Sequence, residues 1–261
     1  MNLIRAHCSP DPAIQLAVAA MFLGVSSLVP LSALSQTPAQ TAGKTQAAGQ
    51  AQTSAQPQAP VSPPTYMGRT IAQTMHYTGA EWLIRENRES EERSSQMLAQ
   101  LNVKPRMTVC DMGCGNGFHS IKLARLVGAA GSVLGVDVQP EMLRLLDLRA
   151  KQAGVENIKL ILGTVDNPGL PDGKVDLILC VDVYHEFSDP ESMLREMREA
   201  LVPKGQLVLV EFRAEDPNVP IQPLHKMSKA QIRKELGANG FRCEREFDGL
   251  PWQHMMFFTR E

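Results

Sequence analysis

The sequence predicts an α/β fold: a doubly wound, mostly parallel sheet with an antiparallel last strand and a helical extension before it. Three observations carry this. From residue 107 onward, short aliphatic runs alternate with stretches of helical periodicity, the pattern of a parallel sheet covered by helices. A glycine-rich loop, Gly113-Cys114-Gly115-Asn116-Gly117, falls where the first run ends and the first helix begins. The last two runs are joined by Asp248-Gly249-Leu250-Pro251, too short for a helix, so they form a hairpin that reverses one strand.

In chain order, a strand over Met107–Cys110 precedes a helix over Ser120–Val127, and a strand over Val133–Val136 precedes a helix over Glu141–Ala153. Ile158–Leu162 reads as a third strand. Leu177–Val181 leads into a helix over Glu191–Leu201 that Asp189-Pro190 opens, because proline suits a first helical turn. Gln206–Val210 is followed by a helix over Lys229–Leu236, with Ser228 as its cap and Gly237 and Gly240 beyond it. Phe241–Phe247 and His254–Thr259 are the hairpin strands.

The chain has 261 residues, 43% apolar and 21% charged, which describes an ordinary globular protein. Lys and Arg number 26 against 28 Asp and Glu, so no global positive field exists to hold a nucleic-acid backbone, and nucleic acid is excluded as a partner. The five cysteines are scattered, without CxxC or His-rich zinc spacing, so neither a disulfide framework nor a metal is expected. Cys110, Cys180 and Cys243 fall within strands as small hydrophobes, and nothing in the sequence shows thiols converging.

The first 64 residues stand apart from this core. Residues 13 to 34 carry no charge and end in a small-x-small site, so residues 1–35 read as a signal peptide or an uncleaved signal anchor. Export, or tethering through that leader, is expected. The competing reading is a misassigned start, at Met21 or Met67, and a cytoplasmic protein. Residues 36–64 hold seven Gln, seven Ala, five Pro and one charge, a composition that cannot bury enough surface to offset its ordering entropy. They read as a disordered linker. The globular domain is 65–261, with a helical cap over 65–100 and the sheet over 101–261.

The glycine loop carries the first functional signal. Closely spaced glycines let the backbone approach a ligand and leave helix amides free to bind it. Phe118 and Ser120 occupy the third-glycine position of a dinucleotide fingerprint, which disfavors NAD and an NAD-linked oxidoreductase. Asp137 follows the second strand, 20 residues after Gly117, where a carboxylate can accept hydrogen bonds from both ribose hydroxyls. A nucleoside site results.

In D-x-G-x-G-x-G over Asp111 to Gly117, G-V-D over Gly135 to Asp137, G-T-V-D over Gly163 to Asp166 and V-D-L-I-L-C-V-D-V over Val175 to Val183, the chain resembles class I S-adenosylmethionine-dependent methyltransferases. That resemblance implies a seven-stranded Rossmann-like sheet and S-adenosyl-L-methionine as cofactor. It implies that Asp111, Gly113, Gly115, Asn116 and Gly117 hold the methionine and ribose path, that Asp137 with Val138 binds ribose, and that Asp166 meets the adenine, with Asp182 also at the cofactor. Asp166 has a second reading as a turn residue before Asn167-Pro168.

Ligand clefts of such sheets lie beyond the carboxyl ends of the strands, which nominates Asp182 to Glu186 and Glu211 to Arg213. His185 is the candidate general base, being the side chain whose ordinary pKa is near neutrality; its other reading is a packing or capping histidine. Tyr184 is expected as an aromatic wall. The D/N-P-P-Y/F motif of base-methylating enzymes is replaced here by Asp182-Val183-Tyr184-His185, so a small-molecule substrate is favored. His76, Tyr77 and Trp82 in the extension, and Arg213 and His225 around the 14-residue loop Ala214 to Met227, are the candidate substrate-binding residues. The run Arg85 to Arg93 reads as a solvated charged face. His254 is expected at the same rim. The alternative function is a nucleoside-binding protein without catalysis.

Overall fold

The computed structural model describes residues 64–261; the leader and all but the last residue of the linker lie outside the described residues. The sheet begins with β3 (Thr108–Met112), preceded by a two-stranded ribbon of β1 (Thr65–Tyr66) and β2 (Arg69–Thr70). Then follow α3 (Phe118–Val127), β4 (Ser132–Asp137), α4 (Pro140–Gln152), β5 (Ile158–Leu162) and β6 (Val175–Val181). The chain continues through α5 (Pro190–Ala200), β7 (Leu201–Phe212), α6 (Lys229–Ala238), β8 (Phe241–Phe247) and β9 (Gln253–Arg260). The seven-stranded sheet has the order β5-β4-β3-β6-β7-β9-β8. Strands β3 to β7 pair in parallel, and β9 runs against both β7 and β8. Order reverses between β3 and β6, and a ligand crevice forms at such a switch point.

Successive side chains on a strand point to opposite faces, and here both faces are covered. Leu177 and Leu179 of β6 pack with Leu123, Val127 and Met97 on one face; Ile178 and Cys180 pack with Leu194, Met197 and Leu236 on the other. All of these are buried, each large aliphatic contributing roughly 1.5–3 kcal/mol relative to exposure. Helix starts follow the expected chemistry. The Asp189 side chain accepts from the Ser192 N–H at 3.1 Å with Pro190 in the first turn of α5, and Ser228 accepts from the Gln231 N–H at 3.1 Å to start α6. Helix α6 runs through Gly237 to Ala238, with Gly240 just beyond it at φ +75°.

The extension is less helical than its charge pattern suggests. It comprises the small ribbon, a 3-10 helix over Tyr77–Ile84, α1 (Arg88–Glu92) and α2 (Ser94–Gln100). Arg88 and Glu92 are buried, contrary to a solvated face. Arg88 Nε donates to Glu92 Oε2 at 2.8 Å, and Arg85 Nη2 donates to Glu92 Oε1 at 2.5 Å, so the two guanidinium groups compensate the buried carboxylate. The Arg88 guanidinium also stacks on Phe118 at 4.3 Å. Among the described residues no helix is long and apolar enough to cross a membrane.

Candidate active site

Strand β3 delivers the glycine loop into the crevice. Gly113, Gly115 and Gly117 have φ of +66°, +53° and +81°, the left-handed region that penalises a Cβ. The space is closed as well. A Cβ at Gly113 would lie 2.3 Å from Val183 Cγ2, one at Gly115 2.7 Å from Leu83 Cδ1, and one at Gly117 2.1 Å from Leu146 Cδ1. The loop is thus clamped between the β6 rim, the extension and α4.

Two carboxylates flank the loop and do different work. Asp137 Oδ2 accepts the Gly115 N–H at 2.9 Å and Oδ1 accepts the Gln139 N–H at 2.9 Å, which leaves each oxygen a further lone pair on a residue that lines the cleft. Burial raises its carboxyl above the usual range, against the pull of those backbone donors. Asp111 lies below the loop and not on the cleft; its Oδ2 accepts from Ser120 Oγ at 2.5 Å, and burial pushes it up to about 6. Asn116 and Gly117 also buttress the loop. Asn116 Nδ2 donates to the Ala80 carbonyl at 2.7 Å, and Arg149 Nη1 donates to Asn116 Oδ1 at 2.9 Å.

The crevice is a cavity of about 720 Å³, within the range of small-molecule sites. Gly113, Gly115, Asp137 and Val138 line one end, with Thr164 and Val165 of the β5 rim beside them. Met75, His76, Trp82 and Arg88 of the extension roof it. Asp182 stands at the middle with φ +51°, a strained conformation for a residue with a side chain. Its Oδ2 accepts from Gln253 Nε2 at 2.9 Å, while its buried Oδ1 has no partner among the described residues. Burial, then the nearby Glu92 and Glu211, drive its carboxyl well above the usual range. Asp182 lines the cavity, but this oxygen is sealed from it.

The opposite end is built around a short 3-10 turn, Tyr184–Glu186, after β6. Glu211 of β7, fully buried, accepts the Tyr184 N–H at 2.9 Å on Oε1 and faces His185 Nδ1 at 2.6 Å with Oε2. A carboxylate only accepts, so Nδ1 carries the proton and Nε2 is turned toward His225 Nδ1, 3.1 Å away. Glu186 Oε1 lies 3.8 Å from both of those ring nitrogens. Burial lowers the His185 imidazole, but the Glu211 carboxylate and its hydrogen bond, with Glu186, lift it above its ordinary value. Burial pushes Glu186 up to about 7, and burial and His185 hold His225 down.

Several sequence candidates lie elsewhere. Tyr184 is not a cleft wall: its ring is buried against Phe187, and its hydroxyl donates to Glu235 Oε2 at 2.8 Å, because the tight turn sends neighboring side chains to opposite sides. Tyr77 packs on His76 outside the cleft. Arg213 turns away to donate to the carbonyls of Asp248 and Pro251 at 3.0 Å each and to that of Leu250, holding the β8–β9 turn. Asp166 accepts from Thr164 Oγ1 at 2.6 Å in an exposed turn, leaving the wall to Thr164 and Val165. His254 is buried off the cleft, with neither ring nitrogen hydrogen-bonded among the described residues and Glu215 Oε2 3.9 Å from Nδ1. One residue that the sequence reading did not place at the cleft matters. Arg88 reaches the cleft; its spacing to Glu92 is the i, i+4 ion-pair signal, which sequence cannot tell from a surface pair. Glu211 lies at the rim where the strand order nominates it, and the structure gives it its role, orienting His185.

The family model for a methyltransferase domain matches residues 103–247, more than half of the chain. Over 114 residues the chain is 37% identical to an arsenite methyltransferase of Aquipseudomonas alcaligenes, covering 41% of this chain and 33% of that protein. Over 136 residues it is 29% identical to a demethylmenaquinone methyltransferase of Geobacillus, covering 52% and 58%. It thus spans between a third and three fifths of the length of these curated relatives. Among solved structures, a SAM-dependent methyltransferase from Aquifex aeolicus superposes with a TM-score of 0.67 at 24% identity, over 71% of this chain and 98% of that one. The [4+2]-cyclase SpnF superposes with a TM-score of 0.53 at 22% identity, over 60% and 58%. At such identities these likenesses speak for the fold alone. On the family match, joined to the sheet order and the glycine loop, the chain belongs to the class I S-adenosylmethionine-dependent methyltransferases.

Proposed function

We propose that the chain transfers the methyl group of S-adenosyl-L-methionine to a small acceptor. The observation that carries this reading is one continuous cavity joining Asp137, with a free lone pair on each carboxylate oxygen, to His185 at the far end. The donor set suits the cofactor's groups. Asp137 accepts from the ribose hydroxyls, and Val138 and Val165 offer apolar faces to the adenine. Arg88, which lines the same cavity, takes the methionyl carboxylate. Bound cofactor supplies an electrophilic sulfonium methyl, so the protein's task is to orient and to exclude water. Trp82, Leu83 and Met75 cover the cleft, and the His185 end receives the acceptor.

An acceptor held by protein thiols is not favored, because none of the four described cysteines lines the cavity and three are buried. A small organic acceptor fits the remaining, largely apolar space. The test is calorimetric titration of the full chain with S-adenosylmethionine and S-adenosylhomocysteine, with NAD as the control. Micromolar binding of the first two is expected, with a loss of roughly 100-fold in Asp137→Ala, the worth of one or two hydrogen bonds to a charged group. A folded protein that binds neither, or a folded Asp137→Ala of unchanged affinity, overturns the reading.

A further inference from the structure

We infer that His185, Glu186 and His225 form a divalent-metal site at the acceptor end of the cleft, one that takes Zn²⁺ or an ion of similar ligand preference. His185 Nε2 and His225 Nδ1 are 3.1 Å apart, and Glu186 Oε1 is 3.8 Å from each. A gap of 3.8 Å is too long for a hydrogen bond, so the carboxylate is not there to accept from either ring. It matches the separation of two ligand atoms sharing one ion. Three atoms at these separations have a common point about 2.1 Å from each, the Zn–N and Zn–O bond length.

The surroundings fit as well. Glu211 accepts the Nδ1–H of His185, which fixes the tautomer and leaves Nε2 a lone pair for an ion; this is the carboxylate–histidine arrangement that orients metal ligands. Its other oxygen is held by the Tyr184 N–H, so Glu211 cannot swing away. His225 sits on a 3-10 turn (Pro223–His225) whose loop is tied down by Lys226 Nζ donating to the Val219 carbonyl at 2.6 Å. Two histidines and a glutamate are an N₂O set that suits zinc rather than magnesium or calcium. All three residues line the cavity, so a fourth position opens onto the cleft, as in catalytic rather than structural zinc sites.

The acceptor class, unlike the metal site, rests on the methyl-transfer reading. It is a small hydroxyl or thiol compound. The ion lowers the pKa of that group, its proton leaves to solvent, its lone pair forms the bond to the methyl carbon, and the C–S bonding pair stays on sulfur. His185 is then a ligand, in place of the free base that the sequence suggests.

The full chain, stripped with a chelator, is titrated with Zn²⁺ calorimetrically and with Co²⁺ by visible absorption, in the absence of S-adenosylmethionine. One equivalent per chain and the strong visible band of four-coordinate cobalt are expected. His225→Ala, at a partly exposed side chain that the fold does not need, should weaken Zn²⁺ binding more than about 100-fold, and Glu211→Gln, which touches no metal, about 10- to 100-fold. Absence of uptake, or uptake of equal affinity in a folded His225→Ala, overturns the site. Because no cofactor is present, that failure is distinct from a failure to bind S-adenosylmethionine.

Discussion

The two ends of the cleft are built by different means. The cofactor end is backbone: three left-handed glycines within five residues, and one carboxylate fastened to the Gly115 amide. The acceptor end is side chains drawn from three separated places, His185 and Glu186 after β6, Glu211 in β7 and His225 on the loop beyond. Each kind of site is vulnerable in its own way. A backbone cradle fails through conformation, because a Cβ collides with its packed surroundings. A convergent side-chain cluster fails through one lost partner, while the fold survives.

The largest effect expected from this contrast is Gly117→Val. The residue has φ +81° and its Cβ would lie 2.1 Å from Leu146 Cδ1. Left-handed strain and overpacking together cost about 3–5 kcal/mol in urea unfolding. A cost below about 1 kcal/mol would break the claim that packed backbone defines this end.

Next comes a pH effect from below the loop. Asp111 titrates at about 6 when folded, against 3.8 as the ordinary value, through burial. Its folded pKa is raised, so its contribution to stability is fully present below 3.8 and is lost as pH rises through 6. Relative to Asp111→Asn, which does not titrate, the native protein should lose roughly 2 kcal/mol between about pH 4 and 7. Parallel pH profiles for the two proteins would remove Asp111 as a strained support of the glycine loop.

The smallest effect sharpens the other end. Tyr184→Phe removes one hydrogen bond to Glu235, which keeps Arg69 and Gln231 as donors, and should cost about 1 kcal/mol of stability. Cofactor affinity should not move. A large fall in affinity at unchanged stability would return Tyr184 to the cleft.

Most of the sheet was legible because its signals are local. The runs Ile158–Leu162 and Phe241–Phe247 are β5 and β8 residue for residue, and Asp189 and Ser228 cap the helices they announce. Helix α3 starts at Phe118 rather than Ser120, since its cap is the left-handed Gly117 and no capping side chain marks the turn. The glycine loop and Asp137 were readable for the same reason: the spacing along the chain is the geometry.

By itself, then, the sequence determined the strand–helix alternation, the reversed last strand, the glycine loop and the register of Asp137 with it. Each follows from rules that act over a few residues, namely side-chain periodicity, turn chemistry and the glycine-only region of backbone space. Only the tertiary structure decided that Tyr184 points into the core while His185 points into the cleft, that Arg213 clips a turn, that Arg88 and Glu92 are buried, and that Glu211, Glu186 and His225 meet around one imidazole. Those outcomes depend on which side of a turn faces a cavity and on contacts between segments 25 to 40 residues apart, such as His185 with Glu211 and with His225. No local periodicity encodes them, because burial and long-range convergence are set only when the sheet brings its strand ends to one rim.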